Sequence, residues 1–302
     1  MRDTVELLLL ALPTTIWYLL FCYLPMFGVI VAFKKYRPKG ENFIDSLMKS
    51  DWVGLKNFEF LFKTDQAWIM IRNTILYNVA FIILGTIIPV TLAIMMSNLF
   101  SQRFAKTCQT FMFLPHFMSW VVVSYFVFSF LSVDKGIMNA MLGFFGLPDV
   151  NWYMESKWWP FIIIFMRTWK TTGYSMVVYL ASITSIDRTY YEAAVIDGAS
   201  KWQQAKSITI PLLKPIIVIM FILAMGNIFS SDFGLFYKMT RGGSMISDTA
   251  LTIDVYVYNA LMGSTNIGMS AAAALFQSVF GCICIVASNL IVKKIDPDSG
   301  LF

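Results

Sequence analysis

The side chains that could do chemistry in this sequence are few, and their types suit binding better than bond-making. The single histidine, His116, stands beside Pro115, so a structural or interfacial role is expected of it and a histidine-based metal site within the chain is not. Of the four cysteines, Cys22, Cys282 and Cys284 lie in apolar stretches and Cys108 at the edge of one, which gives neither a disulfide framework nor a thiolate metal site. The sequence has no G-x-S-x-G elbow, no carboxylate pair inside its apolar segments and no G-x-x-x-x-G-K-[ST] phosphate loop. Catalysis and ATP hydrolysis therefore have no residues here to rest on, and no cofactor is expected in this chain.

What remains is three polar groupings set in apolar surroundings. Arg167, Lys170, Thr171 and Tyr174 fall within one side of a helix at about 100° per residue. Asn227, Ser230, Ser231 and Gly234 share one side of a later segment, with Asp232 pointing elsewhere. Gln277 sits among Ser270, Ala274, Gly281 and Ser288, small residues that suit close helix packing, and is itself the one of that stripe that could meet a solute. Amides and hydroxyls beside aromatic rings are what a hydroxyl-rich solute needs, hydrogen bonds around its edge and flat apolar faces above and below. The two cations are costly in an apolar segment and must face a water-filled cavity, a carboxylate or backbone carbonyls. Either they fix helix ends or a subunit contact, or they line a path for a solute, which could then be acidic, such as a uronate-containing or sialylated glycan.

The elements that must position these groups are membrane helices. Hydrophobic residues make up 58% of 302 and the mean hydropathy is +0.67, far from the balance of an ordinary soluble domain. Six segments approach or exceed the roughly 20 residues that cross a bilayer as helix, at 7–33, 71–100, 111–131, 158–183, 216–237 and 268–292. The expectation is an all-α, polytopic membrane protein built as a single transmembrane domain. The first segment contains Pro13 and Pro25, is long, and has no small-residue cleavage site before Lys34, so it reads as a span and not as a signal peptide. A net charge of +5 with dispersed basic residues does not make a nucleic-acid face. Loop charge does not fix orientation either: with the N-terminus inside, nine basic residues fall in inner loops and eleven in outer ones.

Between the fourth and fifth segments lies the distal half's one sizeable polar stretch, 187–215. Asp187 is placed to cap a short helix, Glu192, Ala193 and Ala194 to propagate it, and Gly198 to stop it in the left-handed conformation. Ser200 with Gln203 forms a capping-box pattern that starts a second helix, and Pro211 and Pro215 are expected to interrupt it before the next segment. An amphipathic helix resting on a membrane face would account for the polarity alone.

The order Glu192-Ala193-Ala194, Asp197-Gly198-Ala199, Ile208-Thr209-Ile210-Pro211 does more: it resembles the EAA loop of binding-protein-dependent ABC importer permeases. Two departures are Ile210, where that family commonly has Leu, and Ala205, where it has an aromatic residue. Further stretches resemble the oligosaccharide branch of the maltose-type permeases over nearly the whole chain. They are Trp52 with Gly54-Leu55-Lys56-Asn57-Phe58, Arg72-Asn73-Thr74, Leu114-Pro115-His116-Phe117 with Ser119-Trp120, Trp169-Lys170, Gly173-Tyr174, Gly226-Asn227, residues 252–258 and residues 274–278. The resemblance implies a type I importer bundle of six transmembrane helices in a prokaryotic plasma membrane, with both termini cytoplasmic. Glu192, Ala193, Ala194, Asp197, Gly198 and Ala199 would form the cytoplasmic coupling helix that docks on an ATPase. Implied partners are a second, related permease, two ATP-binding cassette subunits that hold ATP and Mg, an extracytoplasmic solute-binding protein, and membrane lipid. The solute path would draw on Arg167, Lys170, Tyr174, Asn227, Ser230, Ser231 and Gln277. A permease for another solute and a secondary transporter remain alternatives at this point.

Overall fold

The computed structural model of the protein describes residues 2–37, 42–99, 101–263, 266–295 and 300. Lys39, one of the outer basic residues, and Phe100, the end of the second expected segment, lie outside them. Almost every described element is helical, the exception being one two-stranded antiparallel pair, β1 (Lys34–Lys35) and β2 (Asp51–Trp52). In chain order the helices that matter are α1 (Arg2–Tyr18), prolonged by a π turn and a 3-10 stretch to Phe33, α2 (Asp65–Ser97), α3 (Gln102–Phe117), α4 (Trp120–Leu131) and α5 (Ile137–Phe144). They continue with α6 (Trp159–Thr184), α7 (Arg188–Ile196), α8 (Lys201–Gln204), α9 (Ile210–Gly226), α10 (Ile253–Met262) and α11 (Ile267–Ile295).

Four helices among the described residues are long and apolar enough to cross a membrane, Glu6–Phe33, Asp65–Ser97, Lys201–Gly226 and Ile267–Ile295, and a fifth crossing results if the bent pair α3–α4 counts as one. The 26-residue α6 has the length, but Arg167, Lys170 and the run of Thr and Tyr through its centre keep it out of that set.

Three differences from the sequence expectation have physical causes. The segment 111–131 is not one straight helix: α3 and α4 meet at a bend of 98°. Pro115 cannot continue the ladder, Met118 is extended, and the Ser119 hydroxyl accepts from Val122 N to start α4 afresh. The segment 216–237 stops as a helix at Gly226, so Asn227, Ser230, Ser231 and Gly234 do not share one helical side. Gly, Asn and Ser are weak helix formers whose side chains compete with the backbone ladder. Pro211 and Pro215, by contrast, interrupt nothing, since helix runs unbroken from Lys201 to Gly226. A π turn over Ala205–Thr209 widens the coil just ahead of Pro211, which then sits at the start of α9 where a missing N–H costs little.

The chain divides into two compact units, 1–68 with 256–278, and 69–255 with 279–302. In the first, Asn57 Nδ2 donates to the Ala32 and Lys34 carbonyls, both at 2.9 Å, and Phe33 stacks on Trp52, so the stretch that resembles sugar-importer permeases is a tied-down cap of the first helix. Phe60 and Leu61 are buried there while Phe62 is exposed.

In the second unit α6 is the central element. Trp159 and Ile163 are fully buried against Val123, Val127 and Leu131 of α4, and Trp152 Nε1 donates to Asn139 Oδ1 at 2.9 Å, fixing the α5 connection over them. On the other side Met176, Tyr179 and Ile183 pack with Val90, Ala93 and Leu213. Gly173 allows α3 to cross so closely that a Cβ there would collide with the Met112 carbonyl. Replacing Gly173 with Ala is therefore expected to lower stability by about 1–3 kcal/mol, the usual cost of overpacking, read as a lower thermal midpoint of the detergent-purified protein. An unchanged midpoint would show that the crossing yields freely.

Candidate solute cavity and coupling helix

A cavity of about 440 Å³ lies within the larger unit among α2, α3, α6 and α9. Asn78, Phe81, Ile82, Gly85 and Thr86 face it from α2 at helical spacing, and Arg167, Thr168, Thr171, Tyr174, Ser175 and Tyr179 from α6. His116 at the end of α3 and Met220, Ala224 and Asn227 along α9 complete the wall. The His116 ring stacks on Tyr174 with centroids 4.6 Å apart and planes 13° from parallel, and its Nδ1 is buried without a partner. The wall thus offers amides, hydroxyls and stacked rings in one place. A larger cavity of about 640 Å³ between α4 and α6 is walled by residues such as Val127, Phe130, Phe161 and Phe165, and offers a hydroxyl-rich solute almost nothing to bond.

Of the residues expected along a solute path, Arg167, Tyr174 and Asn227 line this cavity, and Lys170, Ser230 and Ser231 do not. Ser231 serves the fold: its N–H donates to Asp254 Oδ2 at 2.6 Å, and its hydroxyl lies 2.7 Å from Thr252 Oγ1. Gln277 belongs to the other compact unit, on α11. The small residues around it do mark close packing further along: a Cβ on Gly281 would come within 2.7 Å of the Gly226 carbonyl oxygen.

Both costly cations have partners inside the chain. Arg167 Nη1 lies 3.3 Å from Asp232 Oδ2, which also accepts from Trp120 Nε1 at 2.6 Å, and the guanidinium lies over the Phe81 ring. Lys170 Nζ donates to the His116 carbonyl at 2.8 Å and lies over the Trp120 ring. That carbonyl is one of the orphans at the C-terminal end of α3, where the helix dipole favours a cation. Asp232, read from sequence as pointing away, is the residue whose role was missed. Its isolation as an acid beside an apolar segment was the available signal. Asn78 was missed too; its Nδ2 donates to the Ile228 and Ser230 carbonyls at 3.0 and 2.8 Å and so pins the non-helical stretch after α9.

The helical hairpin 187–215 is built from the expected caps. Asp187 Oδ1 accepts from Thr189 N at 2.9 Å, Gly198 has φ 78°, and Ser200 and Gln203 form a reciprocal capping box. The Thr189 backbone N–H and then its hydroxyl hold the Asp187 carboxyl below the ordinary carboxylate range, so this cap is intact at neutral pH and weakens as pH falls through that lowered value. Tyr191 and Thr209 join their hydroxyls at 2.9 Å, fastening α7 to the π turn. Glu192 and Ala193 face solvent, and so do four large apolar side chains, Tyr190 (59% exposed), Val195 (58%), Ile196 (87%) and Trp202 (74%). An apolar surface of that kind on an otherwise polar hairpin suits contact with another protein or with a membrane face.

The sequence profile of the family described as "Binding-protein-dependent transport system inner membrane component" matches residues 85–297. The polygalacturonan/rhamnogalacturonan transport system permease protein YteP of Bacillus subtilis is 34% identical over 288 residues, covering 95% of this chain and 88% of its own. The lactose transport system permease protein LacF of Rhizobium radiobacter is 33% identical over 215 residues, 70% of this chain and 71% of its own. Among solved structures, a chain of a bacterial alginate ABC transporter in complex with an alginate pentasaccharide-bound periplasmic protein superposes with a TM-score of 0.86 at 32% identity. The match covers 97% of this chain and 96% of that one.

The Arg167–Asp232 pair generates a test. Asp232→Asn should destabilise the protein by about 1–3 kcal/mol, the range for losing hydrogen bonds to a charged group, and adding Arg167→Met should recover part of the loss. Thermal midpoints of the two single variants and the double variant decide it; strict additivity would mean that the two side chains do not act as a pair.

Proposed function

The chain belongs to the family of binding-protein-dependent transport system inner membrane components, and from that premise we propose that it is one of two transmembrane subunits of an ATP-driven importer for an oligosaccharide. The family makes it a multi-pass membrane permease component. The finer reading has six crossings, with α3–α4 and the polar α6 counted among them, in a prokaryotic plasma membrane with both termini cytoplasmic. A second permease, two ATPase subunits that bind ATP and Mg, and an extracytoplasmic solute-binding protein complete the machine. The single observation that carries the reading is the juxtaposition, in one chain without any phosphate loop, of an amide-, hydroxyl- and ring-lined cavity with a capped hairpin presenting an exposed apolar face.

In this reading the cavity is this subunit's share of the solute path. Asn227 and Thr171 supply hydrogen bonds to hydroxyls and the His116–Tyr174 stack offers a flat face for a sugar ring. Arg167 is held by Asp232, so the cavity wall does not by itself demand an acidic solute; relatives are named for both lactose and polygalacturonan. The helix 188–196 docks on the ATPase, with Glu192, Ala193 and Ala194 at the contact and Asp197, Gly198 and Ala199 turning the chain back. When the ATPase dimer closes, the hairpin moves with its docking groove and the bundle rotates as a rigid body, exchanging inward for outward access. A secondary transporter would retain uptake when the ATPase is inactivated, which the present reading excludes.

Reversing the charge at Glu192 (Glu192→Lys), or filling the contact with Ala194→Trp, should abolish transport and weaken ATPase association while leaving membrane insertion unchanged. Uptake and co-purification of the ATPase check this, and normal transport in both variants would remove the docking role. Asn227→Leu should cut transport in a graded way, since a lost hydrogen bond is worth about 1 kcal/mol. Failure of that variant to assemble would instead assign Asn227 to the fold.

A further inference from the structure

Away from the cavity just described, a second pocket of about 310 Å³ lies between one face of α4 and the turn that follows the π stretch Gly234–Lys238. Ser124, Tyr125 and Phe128 line it from α4, Tyr237 and Lys238 from the end of the π stretch, and Arg241 from the turn. Two cations therefore converge on rings and a hydroxyl. Among the described residues neither is ion-paired to a carboxylate: Lys238 lies over the Tyr237 ring at 5.6 Å and Arg241 over the Phe128 ring at 4.1 Å.

The backbone at Arg241 carries the argument further. Gly242 N donates to the Tyr237 carbonyl at 3.1 Å and Arg241 N to the Lys238 carbonyl at 3.2 Å, the paired bonds of a Schellman turn. Arg241 occupies the left-handed position of that turn, with φ 55°, and is the only non-glycine residue with positive φ among those described. Glycine takes this conformation without the Cβ clash that arginine incurs, and a glycine stands next door at 242. A strained backbone that would relax with glycine but holds a guanidinium over a pocket points to a use for the side chain.

We propose that this pocket is an anion-recognising subsite for carboxylate-bearing sugar units, in which Arg241 and Lys238 engage the carboxylate while Tyr125, Phe128 and Tyr237 pack on the sugar rings. The inference rests on the carbohydrate-importer reading and adds to it a class of substrate, the uronate-containing glycans. Arg241 presents a planar fork that matches a carboxylate, and Lys238 adds a point charge. The orienting rings hold the fork open in the absence of ligand. In the proposed topology the pocket opens on the extracytoplasmic half, where a solute would meet it before the inner cavity. Acidic phospholipid headgroups share the anionic oxygens, so the test separates the two sources.

The assembled permease–ATPase complex is placed in phosphatidylcholine nanodiscs, and binding of trigalacturonate is compared with that of its fully methyl-esterified, neutral form. The acid should bind about tenfold tighter or better, a difference of roughly 1.4 kcal/mol. Arg241→Gly should abolish that preference while leaving the thermal midpoint equal or higher, and Lys238→Gln should reduce it in part. Equal binding of the two forms by the unaltered complex would overturn the subsite. So would an Arg241→Gly variant that keeps the preference, or one that loses stability along with both ligands. A further set of nanodiscs contains phosphatidylglycerol. If that lipid raises the midpoint of the unaltered complex but not of Arg241→Gly, and erases the sugar preference, the pocket serves a headgroup and the proposal falls. ATP-driven uptake of the neutral ester keeps the two levels apart: uptake without an acidic preference removes the subsite alone, whereas no uptake of either form removes the carbohydrate reading as well.

Discussion

A charged side chain inside an apolar helix costs several kcal/mol unless water, an opposite charge or a carbonyl dipole answers it, and α6 carries two such side chains one turn apart. The departures from regular helix in the larger unit supply the answers. The break between α3 and α4 leaves the His116 carbonyl free for Lys170 and brings the Trp120 ring under Lys170 and its Nε1 to Asp232. The break after Gly226 lets the chain turn so that Asp232 meets Arg167 and Trp120. Neither break could stand alone, because unsatisfied backbone groups in an apolar setting are themselves expensive. Asn78, donating to the carbonyls of Ile228 and Ser230, and Asp254, accepting from Ser231, close the second one. The cavity borders both breaks, with His116 from one and Asn227 from the other in its wall. An opening in a helical bundle and the groups that would bind a solute there thus share one cause.

Much of this was legible in the sequence where local chemistry decides the outcome. Asp187, Gly198 and the Ser200–Gln203 box sit where their propensities placed them, because a cap needs only residues within a turn of it. Long apolar runs read as helix, and a long helix overlaps most of them. What sequence periodicity did not show is where a helix stops for tertiary reasons. The segments 111–131 and 216–237 are apolar enough to read as single helices, and their breaks are stabilised by Lys170, Asn78 and Asp254 from far along the chain. For the same reason the side shared by Asn227, Ser230 and Ser231 on a helical wheel has no counterpart in the structure. Asp232 was the instructive miss: a helical projection turned it away from the polar side, and only the unwound backbone brings it to Arg167. The prolines erred in the other direction, because a π turn absorbed Pro211 without ending the helix.

The cavity and the hairpin differ in how they are held. The cavity wall is drawn from long helices fixed by buried contacts, Tyr179 and Met176 on one side and Trp159 and Ile163 on the other, so its geometry is set by the core. The hairpin 187–215 is fastened by caps and by the Tyr191–Thr209 contact, and its second helix runs on without interruption to Gly226, the residue before Asn227. Under the proposed function, a displacement of the hairpin would pass along the helix that runs unbroken from Lys201 to Gly226 and reach a residue of the cavity wall. That continuity over 26 residues is the physical route by which the proposed ATPase contact would act on the proposed solute site.

The central claim is that the cations of α6 hold both helix breaks in place. Hydrogen exchange read by mass spectrometry on the Arg167→Met/Lys170→Met double variant tests it most directly. Residues 116–120 and 227–233 should lose protection by about tenfold or more, local openings that are cheaper by at least about 1.4 kcal/mol, while 188–196 exchanges as before. Unchanged protection at both breaks would contradict the account, because the breaks would then stand without the charges they are said to answer.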